Sequence, residues 1–170
     1  MTEPHLLVAV PTMFPGRLLR VSRPGRGACG SQARVSDEAV IAWVEAVREG
    51  FGIRGDEILD VEYVCLLGTK RKGRSEIAGF YPARAPWETS DVPLFEDFLN
   101  RVAAGRARLR VHHVPTVDGD ALPPEMIGRA EPLLRRRLAA GGLALVGCSA
   151  AERRSVELLR AIDWVVPLGR

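Results

Sequence analysis

Apolar positions recur along this chain with two periods, one typical of strands and one typical of helices. Compact apolar runs predict strands at 6–10, 17–22, 58–67, 109–115 and 143–146. Apolar residues at helical spacing predict helices at 36–50, with Ser36 as N-cap, and at 90–105, 123–140 and 152–164. The segments 23–34 and 68–89 are expected to be loops. This order predicts a single α/β domain over residues 1–170, with a central, largely parallel sheet flanked by helices.

Composition is that of an ordinary soluble globular protein. A length of 170 residues suffices to bury a hydrophobic core, and 46% hydrophobic and 26% charged residues are usual values. The net charge of +3, from 24 basic and 21 acidic residues, is too small to indicate nucleic acid as a partner. The aromatic content of 6% likewise offers no obvious base-stacking surface.

The cysteines and the N-terminus indicate a reducing compartment. Cys29, Cys65 and Cys148 are far apart and form no C-x-x-C pair, so neither a disulfide framework nor a zinc site is expected. The apolar run at 6–10 is too short for a signal peptide or a membrane span. We therefore expect a cytoplasmic protein with no membrane partner.

The most informative segment is 143–155, where an apolar strand runs through small residues directly into a helix. This geometry points several backbone N–H groups and the positive helix end at one spot, which makes an anion site. Cys148 stands at the end of the strand, where the same helix end favours the thiolate. Arg154 is placed to grip phosphate oxygens with two parallel hydrogen bonds, and Ser155 can donate to the sulfur.

Cys148, five intervening residues, Arg154 and Ser155 resemble the C-x5-R-[ST] signature of the protein tyrosine and dual-specificity phosphatases. The resemblance implies that the cysteine attacks phosphorus, the arginine binds the phosphoryl group and the hydroxyl helps the thiolate to leave. It implies no metal and no organic cofactor, and a phosphorylated protein or a small phosphomonoester as substrate. The residues that would surround the phosphate are Ser149, Ala150, Ala151, Glu152 and Arg153.

The same resemblance implies a general acid, an aspartate roughly thirty residues before the cysteine. Asp118 stands at that distance, in a segment that is similar to the family's strand and acid loop, and Asp120 is the second choice. Taken alone, Val-Asp-Gly-Asp is also a good turn sequence, so the assignment depends on the distance from Cys148. Asp120 would then contribute to substrate binding.

Two further sets of residues have weaker chemical interpretations. His112 and His113 are adjacent on a predicted strand and so point to opposite faces, which disfavours a shared metal. A basic loop offers possible contacts for an anionic substrate, through Lys70, Arg71, Lys72 and Arg74.

Departures from the family pattern keep other functions open. Gly147 stands where the family usually has histidine, and Ala151 stands where it usually has glycine. If position 151 needs φ > 0, the Cβ of an alanine is unfavourable there. A catalytically inactive phosphatase-like module that binds a phosphorylated partner or small anion is therefore the alternative. A third possibility is an unrelated α/β protein that binds an anion at the same helix end. Whether Asp118 or Asp120 reaches the loop separates these hypotheses. The residues select no particular oligomeric state.

Overall fold

A five-stranded sheet lies at the centre of the chain, seen in a computed structural model that describes residues 6–26, 34–70, 73–81 and 92–167. The strand order is β1-β2-β7-β3-β5, with β1 antiparallel to β2 and all other neighbours parallel. These strands are β1 (Leu7–Val10), β2 (Arg17–Ser22), β3 (Leu59–Cys65), β5 (Ala107–His113) and β7 (Leu143–Cys148). Two further strands, β4 (Thr69–Lys70) and β6 (Val117–Asp118), form a small parallel pair of their own.

Helices cover both faces of the sheet, so the parallel strands are buried on two sides, as such strands require. The helices are α1 (Asp37–Gly50), α2 (Glu76–Phe80), α3 (Val92–Val102), α4 (Pro124–Ala139) and α5 (Arg154–Arg160). One hydrophobic core joins the sheet to α1, α2 and α3, and a second joins it to α4 and α5. The predicted α/β domain with a largely parallel sheet flanked by helices is confirmed.

Local signals account for most of the element boundaries. The Ser36 side chain accepts a hydrogen bond from Ala39 N at 3.2 Å, which confirms it as the N-cap of α1. The last helix is shorter than the predicted 152–164 and spans only Arg154–Arg160. Residues 149–153 form a loop between β7 and α5, and within it Ala151 has φ 60°, which a right-handed helix does not include.

The segment predicted to be an irregular loop at 68–89 contains β4 and α2, which corrects that expectation. The Ser75 side chain caps α2 by accepting from Ala78 N at 3.2 Å. Five helical residues are too few for a periodic apolar pattern, and β4 is only two residues long, so neither leaves a signal in the sequence. Residues 71–72, 82–91 and 27–33, which include Cys29, lie outside the described residues.

Candidate active site

The candidate site lies at the carboxyl end of the parallel sheet. The strands β2, β7 and β3 run side by side and all end here, and the 149–153 loop connects the end of β7 to α5. Cys148 is the last residue of β7 and is only 3% exposed. Its Sγ lies 3.5 Å from Ser155 Oγ in the first turn of α5, so the predicted hydroxyl partner of the sulfur is at hydrogen-bonding distance.

The loop is held by its carbonyl groups. Arg23 N donates to Ser149 O at 3.1 Å, and the Arg20 guanidinium donates to Ala151 O. In a trans peptide the carbonyl and the next N–H point in opposite directions. The N–H groups of Ala150 and of the residue after Ala151 therefore point away from these two partners. This arrangement leaves backbone donors on the other side of the loop, as an anion site needs.

Basic side chains lie at the same end of the sheet as the loop. Arg26 Nη1 lies 3.2 Å from Ser149 Oγ. The Arg23 guanidinium stacks 3.6 Å from the centroid of the Phe80 ring, and Lys70 Nζ lies 5.0 Å from the same ring. A cluster of cations at the end of a strand favours an anionic ligand. The side chains of Glu152 and Arg153, in the loop itself, are exposed.

The Arg154 side chain is almost completely buried and is paired with an equally buried carboxylate. Nη1 lies 2.6 Å from Glu76 Oε1 and Nη2 lies 2.9 Å from Glu76 Oε2, so the pair is bidentate. Burial by itself lowers the pKa of Arg154, but the hydrogen bonds and charge of Glu76 outweigh this, and the pKa is raised. The guanidinium is thus fixed in position and fully charged.

Further contacts define which edge of the guanidinium remains for a ligand. Nη1 also donates to Thr116 Oγ1 at 3.2 Å and to Leu66 O at 3.3 Å. Nη2 lies 3.4 Å from Asp118 Oδ1, in a side chain that is 53% exposed. Among the described residues none accepts from Nε. The edge formed by Nε and Nη2 is therefore the one that a phosphate group can approach, and Asp118 lies beside it.

Asp118 is positioned by the small parallel pair of strands. Its Cα pairs with that of Lys70, so β6 is fixed to β4, the strand that leads towards α2 and Glu76. Gly68, just before β4, donates from its N to Glu76 Oε1 at 3.0 Å, and its carbonyl accepts from Glu76 N at 2.9 Å. A Cβ on Gly68 would lie 2.1 Å from Thr116 O, so only glycine permits this approach. The acid loop and the partner of Arg154 are thus one connected unit.

Asp120 is placed differently. It lies in the turn after β6, where its N donates to Val117 O at 3.2 Å, and its side chain is exposed. The structure thus brings Asp118, the first-choice acid, to within 3.4 Å of Arg154.

Close packing explains why a glycine stands at position 147. A Cβ at this position would lie 2.6 Å from Val21 O and 3.0 Å from Val21 Cγ2, with the Tyr63 ring at 3.3 Å. The histidine that the family usually has here does not fit without movement of β2. Any charge that supports a Cys148 thiolate must therefore come from other residues.

Glu76, Gly68, Thr116 and Arg20 belong to the site but were not found from the sequence. The one local signal is a glutamate directly after a helix-capping serine, within an otherwise basic stretch. Nothing in that pattern connects Glu76 to Arg154, which follows 78 positions later.

The two histidines have separate partners. His112 Nε2 lies 2.8 Å from Glu62 Oε1, and His113 Nε2 contacts Leu67 O. Within the described ranges no group of three or more His, Cys, Asp or Glu side chains is placed to hold a metal ion. None of the helices in this part of the chain has the length and apolar character needed to cross a membrane.

Comparison with known proteins supports the fold. The chain is similar to the crystal structure of kinase-associated phosphatase with its catalytic cysteine replaced by serine, with a TM-score of 0.54 and 17% sequence identity. The match covers 98% of this chain and 80% of that one. No family model matches the sequence, and no curated protein matches it. The chain thus has the fold of a dual-specificity phosphatase, which confirms the resemblance at the level of the fold.

Proposed function

We propose that this protein hydrolyses phosphomonoesters through a cysteinyl-phosphate intermediate. The observation that carries the proposal is the arrangement around Arg154. Glu76 holds one edge of the guanidinium, Asp118 lies at the edge that remains, and the loop that begins at Cys148 leads directly into Arg154. A cation fixed in this way, next to a nucleophile and a carboxyl group, suits the transfer of a phosphoryl group.

Substrate binding uses the loop and the open edge of the guanidinium. The phosphoryl oxygens accept hydrogen bonds from the loop N–H groups and from Nε and Nη2 of Arg154. The incoming phosphate takes the place of the Asp118 carboxyl group at Nη2. Asp118 is half-exposed on a two-residue strand, so it can turn towards the leaving group without disturbing the core.

The first chemical step transfers the phosphoryl group to sulfur. The Cys148 thiolate attacks phosphorus, the ester P–O bond breaks, and Asp118 gives its proton to the departing oxygen. Arg154 and the loop N–H groups stabilise the charge on the equatorial oxygens. These donors lie in a largely buried site, where their effect is stronger than in water.

The second step releases phosphate. A water molecule attacks the cysteinyl phosphate, Asp118 accepts its proton, and the S–P bond breaks. The departing thiolate then receives a hydrogen bond from Ser155, whose Oγ lies 3.5 Å from Sγ. The substrate is a phosphorylated protein or a small phosphomonoester, and neither step calls on a metal or an organic cofactor.

Hydrolysis of an aryl phosphate under reducing conditions tests the proposal. We expect turnover by the wild type, none by Cys148→Ser, and a loss of about 10²-fold or more for Asp118→Ala, typical of losing a general acid. Asp120→Ala is the matched control, because it removes an exposed carboxylate two residues away. We expect it to retain most of the activity. An equal loss for the two aspartates would contradict the assignment of Asp118.

A second candidate function is a phosphate-binding module without activity. Two observations favour it: Ala151 adopts φ 60° where glycine is the favourable residue, and Gly147 leaves no room for a histidine. In that case inorganic phosphate protects Cys148 from alkylation, but the wild type shows no turnover from mildly acidic to neutral pH. Turnover that depends on Cys148 excludes this candidate.

A further inference from the structure

Ala151 is held in a conformation that alanine does not favour. Its φ is 60°, and its side chain is fully buried. The left-handed region brings Cβ close to the following carbonyl oxygen, so residues other than glycine rarely adopt it. Such a residue persists only where its surroundings determine its conformation. The contacts of Ala151 therefore decide whether the loop keeps its shape.

Arg20 is the side chain that reaches the strained residue. In the parallel register of β2 and β7, Arg20 pairs with Val146, and Ser22 pairs with Cys148. Residues two apart on a strand share a face, so Arg20 lies on the same face of the sheet as Cys148. From there its guanidinium donates to Ala151 O.

This hydrogen bond has a direct consequence for anion binding. It fixes the peptide group between Ala151 and Glu152, and since that peptide is trans, the Glu152 N–H points away from Arg20. The Glu152 N–H, like that of Ala150, is thereby directed away from the group that holds the preceding carbonyl. Without Arg20, the peptide is free to turn and to relieve the strain at Ala151.

Arg20 also brings a positive charge near the nucleophile. Burial lowers the pKa of Arg20, and the nearby groups of Cys148 and Glu152 offset this only in part. The family's histidine has no room at Gly147. A cation on the neighbouring strand provides charge of the same sign from another direction.

We propose that Arg20 is a positioning residue of the phosphate loop: it holds Ala151 in the left-handed conformation that aims the loop N–H groups at phosphate. The inference rests on the proposed function of the loop as a phosphate site. Arg20 lines a cavity of about 790 Å³ together with Glu152 and apolar residues of α5 and the chain's last described segment. It borders open space, so its substitution does not create a hole in the core.

The test measures phosphate binding rather than turnover. Inorganic phosphate protects Cys148 from iodoacetamide, and peptide mapping by mass spectrometry gives the alkylation rate of that cysteine and the Kd of phosphate. We expect Arg20→Met to raise the Kd about tenfold, as for loss of a charged hydrogen bond. Arg17→Met is the matched control, because Arg17 is an exposed arginine at the other end of the same strand.

The substitution Ala151→Gly distinguishes the proposed positioning role of Arg20 from a merely structural role. Glycine adopts the left-handed conformation without strain, so the loop no longer needs Arg20 to hold it. We expect Arg20→Met to raise the Kd by only about twofold to threefold in the Ala151→Gly background, where the electrostatic part of the effect remains. Arg20→Lys, which keeps the charge but not the planar guanidinium, should restore the Kd only in part.

The inference is overturned by a phosphate Kd that Arg20→Met leaves unchanged, or by an equal loss of affinity with alanine and with glycine at position 151. Absence of phosphate protection in the wild type overturns it too. Loss of thermal stability in Arg20→Met but not in Arg20→Lys, with the same Kd in both, also overturns it. These results are distinct from failure of the proposed function. A protein whose phosphate affinity depends on Arg20 but which hydrolyses no ester refutes the hydrolase alone.

Discussion

Two buried arginines lie at opposite ends of the same parallel strands, and their surroundings differ. Arg48, in the last turn of α1, is 6% exposed and donates to Gly55 O at 2.8 Å and to Glu57 O and Arg106 O at 2.7 Å. These carbonyls lie in the segments that lead into β3 and β5. Arg154 lies beyond the carboxyl ends of those strands and is paired with a carboxylate.

The difference distinguishes an arginine that stabilises the fold from an arginine that can bind a ligand. The two terminal nitrogens of Arg48 are used by neutral carbonyls of the backbone, and its Nε lies 3.5 Å from Glu45 Oε2, so no edge of this guanidinium is left for an incoming anion. Arg154 has one edge held by Glu76 and the other beside a half-exposed Asp118. In parallel sheets the carboxyl ends are the usual place for ligands. The predictions below test whether the two arginines are as different as this geometry indicates.

The largest expected effect is on activity, from Arg154→Lys. An ammonium group cannot hold Glu76 with two hydrogen bonds and phosphate with two more, so we expect kcat/KM for an aryl phosphate to fall about 10³-fold. Arg48→Lys is the control, and its kcat/KM per folded molecule should stay near the wild-type value. The comparison fails if Arg154→Lys keeps more than a tenth of the activity.

The next effect is on stability, from Arg48→Met. Methionine leaves Gly55 O and Glu57 O at the amino end of the sheet without their donor, and Arg106 O with Leu59 N alone. We expect this to cost about 2–4 kcal/mol of unfolding free energy. Urea unfolding followed by circular dichroism measures this loss. Activity at low temperature, where the variant remains folded, should be nearly unchanged. A loss of activity with full stability would contradict the structural role of Arg48.

A smaller effect concerns alkaline pH and again acts at the carboxyl end. Cys65 ends β3, and burial raises the pKa of its thiol to about 12 from the ordinary 9.0. Below pH 9 the thiol is protonated in both states, and its contribution to stability is complete. Above pH 9 the unfolded chain loses the proton first, so stability falls as pH rises towards 12.

The unfolding free energy measured from pH 8 to 11 tests this expectation. We expect the thiol to account for about 1–2 kcal/mol of the decline by pH 10.5, and Cys65→Ala to remove that part of the slope. In Cys65→Ala the unfolding free energy should still decline somewhat with pH, because burial also raises the pKa of Tyr63 well above its ordinary value. An unchanged slope in Cys65→Ala would show that the buried thiol does not titrate in the unfolded chain as expected.

The contrast between the two arginines also shows what a sequence can reveal. The strand at 17–22 and the Ser36 cap carry local patterns, and both elements form as predicted. The spacing of Cys148 and Arg154 is likewise local and led to the phosphatase resemblance. Burial of Arg48 leaves no such trace, because an arginine in the last turn of a helix is also a favourable surface residue.

Contacts between residues far apart in the sequence also leave no local pattern, and this limited the prediction of the site. Glu76 lies in a five-residue helix, and its pairing with Arg154 depends on how β3, β7 and the small β4–β6 pair come together. Arg20 is a polar residue in an apolar strand, which by itself indicates only a partly exposed face. The role that we propose for it depends on the register of β2 and β7, which no local pattern indicates.

The smallest effect concerns the loops at the two ends of the sheet, which reach the same backbone conformation with different residues. At the amino end Gly55 has φ 60°, and at the carboxyl end Ala151 has φ 60°. Glycine adopts this conformation freely, whereas alanine is strained by about 1 kcal/mol or more. We expect Ala151→Gly to stabilise the protein by about 0.5–1 kcal/mol, less than the full strain, because glycine also gives the unfolded chain more freedom. The urea midpoint measures the change.

Ala150→Gly is the matched control, because Ala150 is the neighbouring residue and its φ is not positive. There glycine relieves no strain and only increases the entropy of the unfolded chain, so we expect a loss of about 0.5–1 kcal/mol. Stability changes of opposite sign for Ala150→Gly and Ala151→Gly would show that only Ala151 is strained. Equal losses would mean that the carboxyl-end loop carries no more strain than the glycine turn at Gly55, and that Arg20 has no strained residue to hold.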